Sequence, residues 1–127
     1  MPAIYQQHLN MTLTILDGSI GQELVKRSPG APTGLWSTEV LLKNPDLVRD
    51  VHADYFAAGA DVATSNSYAG HRDRMGRFDI EEQFEPLLNA AGELAAAARD
   101  AHGSGLVAGS VGPAGWSYRP SQAPPEE

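Results

Sequence analysis

The feature that most restricts this chain's fold is how soon a β-type segment follows each helical stripe, after only the links at 59–60 and 103–105. A helix that returns to a strand so quickly sets that strand parallel to the one before the helix, with a right-handed crossover. Thr12 to Leu16 (TLTIL) is β-branched and apolar and runs into Asp17-Gly18, which predicts a short strand closed by a turn. Asn44-Pro45-Asp46 then supplies a cap, a proline for the first helical position and an acid for the first turn. Leu47, Val48, Val51, Tyr55 and Ala58 follow at helical spacing, and Gly59 stands where a left-handed terminator is wanted. Asp61 to Ser65 (DVATS) predicts a second strand. Phe84, Leu87, Leu88, Ala91, Leu94, Ala95 and Ala98 predict a second helix over 80–102, regular only from about Glu85 because Pro86 removes an amide donor. Leu106 to Ser110 (LVAGS) predicts a third strand.

The fold class is therefore α/β, with strand, helix, strand, helix and strand in order. The strand-to-helix links are long, 17–44 and 66–80, whereas the helix-to-strand links are short. Long loops after strands build the ligand-binding face of a (β/α) barrel, and Asp17, Asn66 with Tyr68, and Ser110 would all open onto that face. At 127 residues the chain is one domain. An eight-stranded barrel takes about 250 residues, and Pro125-Glu126-Glu127 reads as the opening of a third helix. The expectation is a truncated TIM-type (β/α)8 barrel holding its first three strands and two helices. Residues 1–11 would be an amino-terminal extension and 12–127 the barrel portion.

Composition removes several functions. A net charge of -7 repels phosphate backbones and anionic lipid, so nucleic acid is not an expected partner. No apolar run approaches the length of about eighteen residues that a membrane span needs. The start, MPAIYQQHLN, has neither a basic nor an apolar leader region, which makes cytoplasmic residence the expectation. With no cysteine in the chain, a disulfide framework, a cysteine zinc site and a thiol nucleophile are excluded within it. His8, His52, His71 and His102 show no metal-ligand spacing and read as structural or surface residues.

Candidate site residues cluster at the strand exits. Asp17-Gly18-Ser19-Ile20-Gly21 lacks the order of a phosphate loop. A carboxylate beside a glycine suits a substrate ammonium group, since glycine allows close approach, but an Asp-Gly pair is more often simply a turn. Trp36, in a long Gly/Pro loop, either plugs the domain or lines a pocket. Tyr68 offers a ring and hydroxyl to the same pocket or packs beneath its loop. The mixed-charge run His71-Arg72-Asp73-Arg74 reads as solvated.

Taken in order, LDGSIGQEL (16–24), GLWST (34–38), NPDLVRDVHADYFAAGADVATSNSY (44–68) and VAGSVGP (107–113) resemble the amino-terminal part of the homocysteine S-methyltransferase family. That domain is shared by betaine-homocysteine methyltransferase and cobalamin-dependent methionine synthase. The resemblance implies a barrel that binds homocysteine at its strand-exit face and activates the thiol with a zinc ion held by cysteines. A small donor such as S-methylmethionine would supply the methyl group and methionine would be formed. Asp17 and Gly18 match the family's pair beside the homocysteine amino-acid moiety, Trp36 and Tyr68 match pocket aromatics, and Asn66 falls in a Thr-Asn-Thr-Tyr-like motif, here Ser65-Asn66-Ser67-Tyr68. The family's zinc cysteines belong to the later half of its barrel, and this chain contains none.

Two functions follow. One is a partial homocysteine S-methyltransferase, inactive alone. The alternative is a non-catalytic amino-acid-binding or assembly module that completes its sheet by oligomerisation, because an open parallel sheet leaves edges to pair. An independent small α/β enzyme is disfavoured, since no complete acid/base or nucleophile set is present.

Overall fold

Local sequence signals account for most of the elements in the computed structural model, which describes residues 13–115 together with 118, 119, 121 and 125. In chain order these are α1 (Ile20–Arg27), α2 (Ser37–Lys43), α3 (Pro45–Ala57), β1 (Val62–Thr64), α4 (Arg72–Gly76), a 3-10 turn (Glu81–Gln83), α5 (Phe84–His102) and β2 (Leu106–Ala108). Asn44 caps α3 by accepting from the Leu47 amide, with Pro45 just inside the start. The helix α5 begins at Phe84, so Pro86 falls within its first turn, where an amide donor has no intrahelical partner to lose. Gly103, at φ 90°, ends it.

β1 and β2 pair in parallel, with Val62 opposite Leu106, Ala63 opposite Val107 and Thr64 opposite Ala108. On the other side of β1 runs the segment predicted as strand one. It makes a single parallel bridge, Leu16 to Val62, instead of a ladder. The backbone bonds Asp17 N to Val62 O (3.0 Å) and Asp61 N to Ile15 O (2.7 Å) hold it there. The Asp61 side chain also accepts from the Ile15 amide at 2.8 Å, in place of a further main-chain rung. The expected three-stranded sheet is thus a two-stranded sheet with one bridged segment, because Leu13, Ile15 and Leu16 remain exposed and bury little against anything else described. Thr12, the extension 1–11 and most of the helix predicted to open at Pro125 lie outside the described residues.

The long strand-to-helix links are also more ordered than their composition suggests. The first contains α1 and α2 and the second contains α4. Leu24 of α1, Val40 and Leu41 of α2, Val48 and Val51 of α3, Met75 of α4 and Leu87 and Ala91 of α5 form one buried cluster. A second joins Phe56, Ala63, Ala95 and Ala98, where the alanine face of α5 lets helix and sheet approach closely. Gly105 completes this packing, with φ 112° and an imagined Cβ only 2.6 Å from Phe56 Cε1.

Candidate functional site

The C-terminal ends of the extended segments open onto a cleft of about 340 Å3. All five sequence-predicted site residues, Asp17, Gly18, Trp36, Asn66 and Tyr68, line it, together with Ser37, Thr64, Ser65 and Ser110. A larger cavity of about 520 Å3 lies beside it, around His71, Arg72 and Phe84, and contains none of the five. Chemical content rather than size makes the smaller cleft the candidate.

Asp17 leaves the bridged segment pointing across β1. Its Oδ2 accepts from the Thr64 amide and its Oδ1 from the Thr64 hydroxyl, both at 2.7 Å. Each carboxylate oxygen carries two lone pairs, so acceptor capacity remains for a cationic ligand after the group has been oriented. Thr64 was not singled out by sequence reasoning, although its position at the end of the DVATS run places it opposite that turn.

Gly18 must lack a side chain. An imagined Cβ would stand 2.6 Å from Tyr55 Oη and 2.8 Å from its Cε1. Tyr55, reaching from α3, also donates to the Ser19 carbonyl at 3.5 Å. Burial raises its phenol pKa, and the nearby Glu23 and Asp17 carboxylates add to that effect. Ser19 in turn caps α1, its hydroxyl accepting from the Gln22 amide. Ser19 followed three residues later by Gln22 is a capping-box signature, the signal that could have located α1 inside a Gly-rich loop.

Trp36 precedes α2 at φ 51° and ψ -126°. Its ring lies over Gly21, where an imagined Cβ would be 3.2 Å from Trp36 Cζ3. Asn66 is buried and donates its side-chain amide to the Ser37 carbonyl at 3.0 Å. Tyr68 is 47% exposed at the outer rim. Between the ends of β1 and β2, serines close the floor: Ser67 Oγ donates to Ser110 O (2.7 Å), Ser110 N donates to Ser65 Oγ (3.2 Å), and the hydroxyls of Ser65 and Ser67 share a 2.8 Å bond.

His52 lies beneath this face on α3, fully buried, and neither ring nitrogen finds a hydrogen-bond partner among the described residues. Burial pushes the imidazole below its usual pKa, and the Asp17 charge offsets part of that shift. The family resemblance implies zinc, but these residues do not fit such a site. The chain has no cysteine, and among the described residues no three His, Cys, Asp or Glu side chains group to hold a metal ion.

The family model described as homocysteine S-methyltransferase matches residues 14–127. The homocysteine S-methyltransferase of Escherichia coli is 40% identical over 111 residues, covering 81% of this chain and 36% of that protein. A homocysteine S-methyltransferase of Bacillus subtilis is 34% identical over 122 residues, covering 86% of this chain and 39% of its own. The crystal structure of the metallated homocysteine methyltransferase MmuM from Escherichia coli superposes with a TM-score of 0.76 at 35% identity, over 94% of this chain and 43% of that one. The chain thus spans well under half the length of the curated relatives it matches.

Proposed function

Because the chain belongs to the homocysteine S-methyltransferase family, we propose that residues 12–127 form the amino-terminal part of a TIM-type (β/α)8 barrel and supply the homocysteine-binding wall of a methyltransferase. The observation that carries this reading is the oriented Asp17 carboxylate, fixed by Thr64 in a cleft that Asp17 and Gly18 both line. In it Asp17 pairs with the substrate ammonium and Gly18 lets the amino-acid end approach the main chain. Trp36 and Tyr68 stand toward the homocysteine thiol, where the donor's methyl would lie.

The reaction proposed for the whole barrel forms a bond from the homocysteine sulfur to methyl and breaks the bond from methyl to a donor such as S-methylmethionine. The thiol proton is lost and methionine is released. The chain has no cysteine and its described residues group no metal ligands, so no step of that transfer is assigned to them. Alone, the chain binds and orients without catalysing, and its site of action is the cytoplasm.

The exposed Leu13, Ile15, Leu16 and Leu106 along the outer extended segments favour a second property, self-association through the sheet. Isothermal titration of the chain with homocysteine, with and without zinc, tests the main reading. Binding that is independent of zinc and lost in Asp17→Asn is expected. Undiminished binding in that variant, or no binding by the well-folded chain, would refute it.

A further inference from the structure

Trp36 carries a backbone conformation that residues with side chains rarely adopt, φ 51° with ψ -126°. Such a conformation persists only where its surroundings overdetermine it. On the upstream side, Trp36 N donates to Thr33 O at 3.0 Å, and Thr33 is itself tied through its hydroxyl to Glu39 at 2.5 Å. These bonds lie within the loop and α2 and would move with them. The bond from Asn66 to Ser37 O is different: it links residues 29 apart in sequence and runs from the end of β1 to the residue immediately after the strained one.

The geometry points to Asn66 as a positioning residue: by donating to the Ser37 carbonyl it fixes the Trp36 loop to the sheet and so sets where the indole stands in the cleft. Asn66 is 5% exposed, and its Nδ2 is committed to this contact. The residue type follows from the bond. A carbonyl needs a donor opposite it, which an amide supplies and a carboxylate lacks. Ser37 and Thr38 are buried beside it, so the start of α2 is held in place rather than resting on solvent. The consequence for ligand binding rests on the reading of the cleft given above.

The test uses Trp36 as its own reporter. The chain has two tryptophans, so Trp116→Phe leaves Trp36 as the single tryptophan, excited selectively beyond the tyrosine absorption band. In that background, Asn66→Ala and Asn66→Asp are expected to shift Trp36 emission to the red and raise acrylamide quenching at least twofold, at unchanged far-ultraviolet dichroism. The effect should be larger for Asn66→Asp, which sets acceptor against acceptor. Homocysteine affinity should fall with the emission shift, at least fivefold in Asn66→Asp. Unchanged emission in both variants would overturn the proposal, as would lost binding with unchanged emission, which would make Asn66 a direct contact. If the parent does not bind homocysteine, the reading of the cleft fails while the emission result still decides the role of Asn66. Should Asn66→Asp fail to fold, the urea midpoint lost on Asn66→Ala is compared with and without Trp36→Gly. A smaller loss with Trp36→Gly, which removes the strained side chain, supports the proposal, and an equal loss overturns it.

Discussion

His52→Leu should stabilise the chain, and the gain should grow with acidity. The imidazole is fully buried with both nitrogens unpartnered among the described residues, and an unsatisfied buried polar group costs about 1–3 kcal/mol. Leucine fills a similar volume without a polar atom, so near pH 7.5 the variant should gain about 1–3 kcal/mol. Burial lowers the folded-state pKa of His52, against the opposing influence of Asp17. Above the unfolded value of about 6.5 both states are neutral and His52 adds no pH dependence. Below it the unfolded chain takes up a proton that the folded chain refuses. Wild-type stability therefore falls by up to about 1.4 kcal/mol per pH unit until the folded pKa is passed. Urea melts of both proteins from about pH 7.5 to about pH 5 yield the difference in unfolding free energy, in which contributions of other groups largely cancel. The expected difference is flat above about pH 6.5 and widens below it. A difference that stays constant, or narrows on acidification, would mean that His52 accepts a proton in the folded state without penalty, and the reasoning from burial would be wrong.

Gly18→Ala should cost about 1–3 kcal/mol by driving a methyl into the Tyr55 ring, and Tyr55→Leu should recover at least half of that in the double variant; additive thermal-melt effects would count against the contact. Gly105→Ala combines a left-handed backbone with a methyl 2.6 Å from Phe56 Cε1, so a loss of about 2–5 kcal/mol in urea melts is expected. A loss under about 1 kcal/mol would show that Phe56 yields readily. Leu16→Lys with Leu106→Lys should lower the average mass measured by light scattering at a given concentration, because charge on exposed strand positions opposes edge pairing. An unchanged mass would place any association elsewhere.

The elements legible in the sequence were those with local signals. Asn44-Pro45-Asp46 and Gly59 bracket α3, and the alanine-rich stripe with Gly103 marks α5. β1 and β2 lie within their predicted runs, trimmed at the ends where side chains of Asp61 and Ser65 take hydrogen bonds that a longer ladder would have made. What escaped was decided by partners distant in sequence. TLTIL has the β-branched character of a strand, yet its described part makes one bridge, because Leu13, Ile15 and Leu16 stay exposed and bury little against the rest. Composition concealed α1, α2 and α4 among glycines and prolines. At the site, the family resemblance singled out five positions that line one cleft, but not their division of labour. That Thr64 holds Asp17, that Tyr55 forbids a side chain at Gly18, and that Asn66 reaches Ser37 are contacts across 47, 37 and 29 positions respectively, invisible to local pattern.

The attachment of Asp17 to Thr64 makes one carboxylate both a fastener and a receptor. Two of the bonds that join the bridged segment to β1 end on the same two oxygens a cation would seek. Evolution and engineering therefore meet a single position with two obligations: any replacement that abolishes recognition also loosens the seam between neighbouring segments. A survey of variants scored only by abundance would rank Asp17 among the framework residues, and one scored only by ligand would rank it among the contacts. Each ranking would capture half of what the side chain does.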